Sequence, residues 1–211
     1  SLTNALLRFI NPTSGKIFID NHDTSTIPLK SLRKALKLIP QDPFLFSGTL
    51  RSNIDPTSST SSDDRLRTVL RRVHLITASE SDSKFANLEM AIEPGGINLS
   101  HGERQLVCLA RTLLAQCRIL ILDEATSAID AATDAAIQQV IRDEFVEATI
   151  IVVAHRLLTI ADFDTLLVMS NGEVAEFGSP RDLFNRNGLF ANMVQQSGDA
   201  AAIKAAITRS K

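Results

Sequence analysis

Residues 118–130 decide the fold, and they read Arg-Ile-Leu-Ile-Leu-Asp-Glu-Ala-Thr-Ser-Ala-Ile-Asp. The short apolar run Ile119–Leu122 has the composition of a buried strand, and two acids, Asp123 and Glu124, follow it directly. In open α/β sheets, ligands bind at the carboxyl ends of the strands. One carboxylate there can hold Mg²⁺ through its water shell, while the other orients or deprotonates an attacking water. A strand followed by an acidic helix start would give the same pattern without a ligand.

A second informative segment lies upstream, at Asn98–Gln105, and reads Asn-Leu-Ser-His-Gly-Glu-Arg-Gln. It leads into a stretch with apolar residues at helical spacing. Ser100 and Glu103 have the spacing of a capping box, which needs no ligand. The same helix start would leave backbone N–H groups facing a phosphate, and Gly102, without a side chain, would let that phosphate come close.

Together these segments resemble the nucleotide-binding domain of ABC transporters. Leu99–Glu103 is similar to the family signature Leu-Ser-Gly-Gly-Gln, and Arg118–Asp123 is similar to the Walker B strand. The motifs occur in family order with family-like spacing, and flanking segments extend the resemblance to nearly the whole chain. The other matching motifs are the Q-loop at Gln41, the catalytic glutamate at Glu124, the D-loop at Ser127–Asp130 and the switch histidine at His155.

Four residues would act on the nucleotide that the domain itself binds. The resemblance implies that Glu124 is the catalytic base and that His155 senses the γ-phosphate. It also implies that Asp123 and Gln41 contact Mg²⁺. Without the other motifs, Gln41 would be interpreted as an ordinary polar loop residue and His155 as a capping or core histidine.

The signature and the D-loop would act across a dimer interface. The resemblance implies that Ser100, Gly102 and Glu103 contribute to binding the ATP held by a partner domain, and that Asp130 lies in the loop that crosses between domains. Two residues depart from the family pattern. His101 replaces a glycine and adds bulk near the phosphate, while Glu103 replaces glutamine and adds negative charge.

The 211 residues contain no Gly-x-x-x-x-Gly-Lys-[Ser/Thr] phosphate loop. Ser1–Phe9 is similar to the helix that follows this loop, and by that alignment Ser1 comes just after the Mg²⁺-binding hydroxyl residue. We therefore expect a partial nucleotide-binding domain, truncated just after Walker A, that lacks the Walker A strand. Such a chain should be inactive by itself.

The expected fold is an α/β, P-loop NTPase-like core with an inserted helical subdomain at about residues 45–115. The hydrophobic content of 44% suffices for a core, and the net charge of −2 implies no nucleic-acid partner. We expect the partial domain to span residues 1–196, with a tail at 197–211. The expected helices are 1–10, 29–35, 133–144, 157–161 and 180–196, and the expected strands are 16–20, 36–39, 118–122, 149–153, 165–169 and, in a hairpin, 173–177.

The segment Gln41–Pro56 narrows the subtype. It is similar to the second nucleotide-binding domain of the multidrug-resistance-associated (C) subfamily, as is Val107–Arg111. The first domain of that subfamily commonly lacks the catalytic glutamate, so Glu124 favours the second.

The resemblance also implies cofactors, partners and a location. ATP with Mg²⁺ would be hydrolysed by transfer of a phosphoryl group to water, between two nucleotide-binding domains arranged head to tail. Transmembrane domains would respond to the loop after Gln41, at the cytoplasmic face of a membrane. The longest apolar runs, such as Ala148–Ala154, are shorter than the roughly 18 residues of a membrane span, so the membrane link is expected from other parts of the protein.

Three classes of function remain open at this stage. The ATPase domain of an ABC exporter fits best. A soluble ABC-type ATPase of DNA repair would need a long coiled coil between Gln41 and Ser100, and the chain there is too short; one of translation would carry two such domains and basic segments. A non-catalytic remnant is the third class, and the missing phosphate loop favours it.

Overall fold

The structure is a computed structural model that describes residues 2–57, 61–76, 83–123, 131–154 and 156–209. It confirms the predicted α/β class. The chain forms two compact units, Ser1–Val153 and Ala154–Lys211. None of the helices in the described ranges is long and apolar enough to cross a membrane.

The first unit contains both strands and helices. They are α1 (Leu2–Leu6), β1 (Phe18–Ile19), β2 (His22–Asp23), α2 (Leu29–Ala35), β3 (Leu36–Ile39), β4 (Gly48–Thr49), α3 (Leu50–Ile54), α4 (Asp63–Arg72), β5 (Ala91–Ile92), α5 (His101–Ala115), β6 (Ile119–Asp123), α6 (Ala131–Glu144) and β7 (Thr149–Val153). Those of the second unit are α7 (Leu157–Ile160), β8 (Leu166–Ser170), β9 (Glu173–Gly178), α8 (Pro180–Asn185), α9 (Leu189–Gln196) and α10 (Ala200–Arg209).

A parallel sheet with the order β3-β6-β7 forms the centre of the first unit. Leu36 pairs with Ile119, and Ile119 pairs with Thr149, so the three strands begin together. Since they also run in the same direction, their carboxyl ends meet at one edge of the sheet. Strand β6, which has the apolar run Ile119–Leu122, lies in the middle, between β3 on one side and β7 on the other.

Three helices, α3, α4 and α5, pack together within the predicted helical subdomain. Their shared core contains Leu50, Leu66, Leu70 and Leu109, each at most 1% exposed. A short antiparallel pair, β4 with β5, brackets α3 and α4 in the sequence and was not predicted. Helix α5, the longest of the three, ends where Gln116 turns into the left-handed conformation, with φ of 49°.

The predicted first helix is shorter in the structure than in the sequence pattern. It was expected over residues 1–10, but α1 ends at Leu6. Arg8 has a φ of 52°, which a helix cannot contain, and its guanidinium donates hydrogen bonds to the carbonyl groups of Thr24 and Ile27 at 3.1 and 2.7 Å. These contacts turn the chain away from the helix axis.

In its described residues, the second unit is an antiparallel hairpin of β8 and β9 with four helices, α7 to α10. The single helix expected over 180–196 is instead two helices, α8 and α9. Asn187 has a φ of 54°, and the carboxylate of Glu176 accepts hydrogen bonds from the backbone N–H groups of Leu189 and Phe190. This carboxylate starts α9 as a separate helix by satisfying its first donors.

The tail predicted at 197–211 contains a regular element. Helix α10 buries Ile203 and Ile207, which are 1% and 4% exposed, in the core of the second unit. They pack with Leu166 of β8 and Phe190 of α9 in the same cluster. The tail is therefore an integral part of this unit.

Candidate nucleotide site

The carboxyl edge of the parallel sheet brings two predicted residues together. Asp123 ends β6 and pairs in register with Val153 of β7. On the other side, Leu122 pairs with Ile39, the last residue of β3, and the exposed Gln41 follows two residues later. A carboxylate and an amide oxygen thus leave neighbouring parallel strands at the same edge, which is where an α/β sheet binds ligands.

Four predicted site residues, Ser1, Glu124, Asp130 and His155, lie outside the described residues. Their placement along the chain follows from the sequence alone. Glu124 comes directly after β6, and His155 comes two positions after the last residue of β7. The roles assigned to these four residues stay predictions.

The signature segment forms the capping box that the sequence predicts. Ser100 is the N-cap of α5, and its hydroxyl accepts a hydrogen bond from the Glu103 N–H at 3.2 Å. In return, the Glu103 carboxylate accepts a hydrogen bond from the Ser100 N–H at 2.8 Å. Because Ser100 is exposed, the start of α5 is accessible. The two hydrogen bonds of the capping box hold it in place.

Gly102 is buried, and packing alone accounts for its lack of a side chain. A Cβ atom built at this position would lie 2.4 Å from Cγ2 of Thr133, in the first turn of α6. Helix α5 therefore approaches α6 closely at this point. The sequence explained this glycine only by the approach of a phosphate, because the contact with Thr133 joins parts of the chain that no local pattern relates.

His101 connects the signature segment to the Q-loop. Its Nε2 atom lies 3.7 Å from a carboxylate oxygen of Asp42, the residue after Gln41. The imidazole is largely buried, with 20% of its side chain exposed, whereas Asp42 is 95% exposed. The bulk of His101 therefore lies between α5 and the residues that follow β3.

Glu103 has a partner that sequence reasoning missed. The ammonium of Lys84 lies 2.8 and 2.9 Å from its two carboxylate oxygens. Partial burial raises the pKa of Glu103, but the hydrogen bonds from Lys84 and from the Ser100 N–H lower it more, so the pKa lies below its ordinary value. Lys84 belongs to none of the motifs, and only the tertiary structure identifies it.

An aromatic surface follows the Q-loop. The rings of Phe44 and Phe46 meet edge to face at 5.2 Å, and each side chain is more than half exposed. Asn53 fixes this segment, since its side-chain amide accepts from the Phe46 N–H and donates to the Phe46 carbonyl, both at 2.8 Å. The guanidinium of Arg111 lies 5.7 Å from the Phe46 ring centre. A rigid apolar surface therefore lies next to Gln41 in the chain.

Comparison with known proteins identifies the family. Residues 1–127, more than half of the chain, match the family model described as ABC transporter. The chain belongs to the ABC transporter family. The predicted family is thus confirmed, and so is the prediction that this is a family of ATPase domains.

Similar full-length ABC transporters are much longer than this chain. It is 42% identical over 214 residues to the pleiotropic ABC efflux transporter of multiple drugs YBT1 of Candida glabrata. It is 48% identical over 198 residues to ATP-binding cassette sub-family C member 3 of Homo sapiens. Each alignment covers 94% of this chain and 13% of the relative. These relatives confirm the similarity to the C subfamily.

A solved ABC exporter has the same fold. It is a bacterial Atm1-family ABC exporter with ATP bound, 36% identical in sequence, with a TM-score of 0.81. The match covers 93% of this chain and 34% of the exporter chain. The α/β fold described above is therefore that of an ABC exporter's nucleotide-binding domain.

ABC ATPase domains use ATP with Mg²⁺, and the oxygen donors at the sheet edge fit this pair. Mg²⁺ in nucleotide sites is bound through one or two protein oxygens together with water and phosphate. The Asp123 carboxylate and the Gln41 amide supply donors of this kind. In the ranges that the structure describes, no cluster of three or more His, Cys, Asp or Glu side chains could hold a metal ion by itself.

Proposed function

We propose that this chain is part of the ATP-hydrolysing domain of a membrane exporter, where hydrolysis drives substrate transport. The supporting observation is the shared edge at which Gln41 and Asp123 follow neighbouring parallel strands, with Glu124 next in the sequence. The similarity to the second nucleotide-binding domain of the C subfamily supports the proposal that this domain is the second of the two in the transporter. The presence of Glu124 favours it as well.

The reaction is transfer of the γ-phosphoryl group of ATP to water. Asp123 and Gln41 would hold Mg²⁺, which neutralises charge on the phosphates. Glu124 orients the attacking water and accepts its proton. His155 donates a hydrogen bond to the γ-phosphate and so keeps that group in line with the water. Catalysis of this kind is mostly positioning and charge stabilisation.

The signature segment acts on a second nucleotide. Ser100 and the backbone N–H groups of the first turn of α5, including that of Gly102, face the γ-phosphate of ATP held by a partner domain arranged head to tail. Glu103 fixes this turn through the capping box. Asp130 belongs to the loop that crosses between the two domains. The exposed, rigidly capped start of α5 supports this assignment.

The aromatic surface supports a connection to transmembrane domains. Phe44 and Phe46 are exposed and fixed, and they follow Gln41 by only a few residues. We infer that a helix of the transmembrane part packs on this surface, so that a change at Gln41 moves that helix. The domain then works at the cytoplasmic face of the membrane.

The 211 residues by themselves are proposed to be inactive. They contain no phosphate-binding loop, which in this family supplies a lysine and a Mg²⁺-binding hydroxyl.

The experiment that tests this function is Glu124→Gln in the complete transporter. Because the substitution keeps the shape and removes the base, steady-state ATP hydrolysis should fall by about a hundredfold or more. Binding of a fluorescent ATP analogue should stay near wild type. Glu147→Gln is the matched control, since Glu147 is an exposed glutamate at the opposite end of β7. The transporter with this substitution should hydrolyse ATP at the wild-type rate. Hydrolysis by Glu124→Gln within twofold of wild type would exclude the assigned role.

A further inference from the structure

The carboxylate of Glu103 is bound on two sides. One oxygen accepts the Ser100 N–H at 2.8 Å and also lies 2.9 Å from the Lys84 ammonium, while the other oxygen lies 2.8 Å from the same ammonium. The lysine thus bridges both oxygens. At neutral pH the pair carries no net charge, although it stands at the first turn of the signature helix.

The position of Lys84 is fixed by the core beneath it. Lys84 begins a 3₁₀ turn, Lys84–Ala86. Phe85 is 4% exposed and packs in the core of the first unit. The guanidinium of Arg67 donates a hydrogen bond to the carbonyl of Ala86 at 2.7 Å. The backbone that carries the lysine is therefore held by the packing of Phe85 and by the hydrogen bond to Ala86.

An unpaired glutamate at this place would oppose a phosphate. The start of α5 attracts anions through its N–H groups and the helix dipole, and a carboxylate charge in the same turn weakens that attraction. The family signature has a neutral glutamine here, whereas this chain has Glu103. In the structure, the positive charge of Lys84 compensates the negative charge of Glu103. Lys84 is distant in sequence and close in space.

We propose that Lys84 is a positioning residue of the signature segment. It neutralises Glu103 and holds its carboxylate against the Ser100 N–H, so that the turn presents donors and no net negative charge to the ATP of the partner domain. This inference rests on the proposed function, because a charge at the start of α5 matters to catalysis only if a nucleotide binds there.

Two other roles of Lys84 give different outcomes. The pair could only stabilise the fold, in which case loss of Lys84 lowers the amount of folded protein. Lys84 could instead contact the phosphate directly, in which case its loss is equally harmful whether residue 103 is charged or neutral. A double-mutant cycle with Glu103→Gln separates these roles.

The experiment measures ATP hydrolysis by the complete transporter over a range of ATP concentrations. Lys84→Met should lower kcat/KM about tenfold, mainly through a higher KM, since a hydrogen-bonded partner of a charge is lost. In the Glu103→Gln background the same substitution should change kcat/KM by no more than about twofold, because no charge remains to be neutralised. Lys84→Arg keeps the positive charge and should retain most of the activity.

Arg72→Met is the matched control. It removes the cation from a similar pair between elements, Arg72 with Glu144, at the other end of the sheet from Asp123. ATP hydrolysis should not change. A tenfold loss in this control would mean that any broken ion pair in the unit disturbs hydrolysis, which overturns a specific role for Lys84.

The remaining outcomes are distinct. Three results would each overturn the proposal for Lys84 alone. They are wild-type kinetics of the Lys84→Met transporter, an equal effect of the substitution in both backgrounds, and a reduced yield of folded protein. If the wild-type transporter shows no ATP hydrolysis that Glu124→Gln removes, the proposed function itself fails, and the role of Lys84 fails with it.

Discussion

Strands β6 and β7 have similar apolar sequences and lie in different surroundings. Leu120–Leu122 of β6 are between 0% and 3% exposed, whereas Ile150–Val152 of β7 are only half-buried and Val153 is 38% exposed. The reason is the number of neighbours. Strand β6 lies between two strands, while β7 pairs, within the described part of the chain, with β6 alone.

The two strands show that an apolar composition does not by itself determine how deeply a strand is buried. Strands of parallel sheets are normally covered on both faces and read as continuous apolar runs. Both strands have that pattern, but only β6 has those surroundings here. Asp123 thus ends the better supported strand, and the half of the site that is proposed to bind Mg²⁺ is expected to be the more rigid half.

The largest expected effect comes from truncating paired residues on the two strands. Leu120 of β6 and Ile150 of β7 are partners in register. Leu120→Ala should lower the free energy of unfolding by about 2–5 kcal/mol, because it opens a cavity in a closed core. Ile150→Ala should cost only about 1–2 kcal/mol, because less apolar area is lost. Urea unfolding of the 211-residue chain measures both, and equal losses would contradict the comparison.

A second measurement sharpens the contrast without mutation. Hydrogen–deuterium exchange of the 211-residue chain, followed on peptides that contain one strand each, should be about tenfold or more faster in β7 than in β6. The amides of a central strand have partners on both sides, whereas among the described residues those of β7 that point away from β6 have no partner strand. Equal protection would show that β7 is covered in solution.

The smallest expected effect is on association of the chain with itself. An uncovered apolar strand pairs readily with another chain, and a lysine placed on it hinders this pairing. Val153→Lys should lower the apparent mass measured by light scattering at high concentration, by about twofold or less. Val146→Lys is the control, because Val146 is 78% exposed but lies outside the strand. If both lysines act equally, the cause is net charge and not the strand edge.

Much of the sheet could be predicted from the sequence because its signals are local. The apolar runs of β3 and β7 begin and end where the pattern predicts, and so does α2. The capping box of Ser100 with Glu103 was equally local, since its two residues are three positions apart and bond to each other's backbone. The order of the strands in the sheet comes from the structure.

What could not be predicted depends on contacts between distant residues. The break between α8 and α9 needs the carboxylate of Glu176, which belongs to the preceding strand. The charge of Glu103 is neutralised by Lys84, which belongs to none of the sequence motifs. Gly102 is explained by Thr133 of another helix. The members of these pairs lie 13 or more positions apart, so no pattern of adjacent residues relates them.

The pairing of β3 with β6 has a consequence for how the chain folds. Leu36 meets Ile119, and the whole of α3, α4 and α5 lies between them in the sequence. Bringing two strands together across a loop costs conformational entropy, about 0.6 kcal/mol more for each doubling of loop length. Helices that have already compacted shorten that loop and hold its ends near each other. We therefore expect the three helices to lower the kinetic barrier to forming a sheet of which they are not a part, and a substitution that loosens them to delay the joining of β3 to β6.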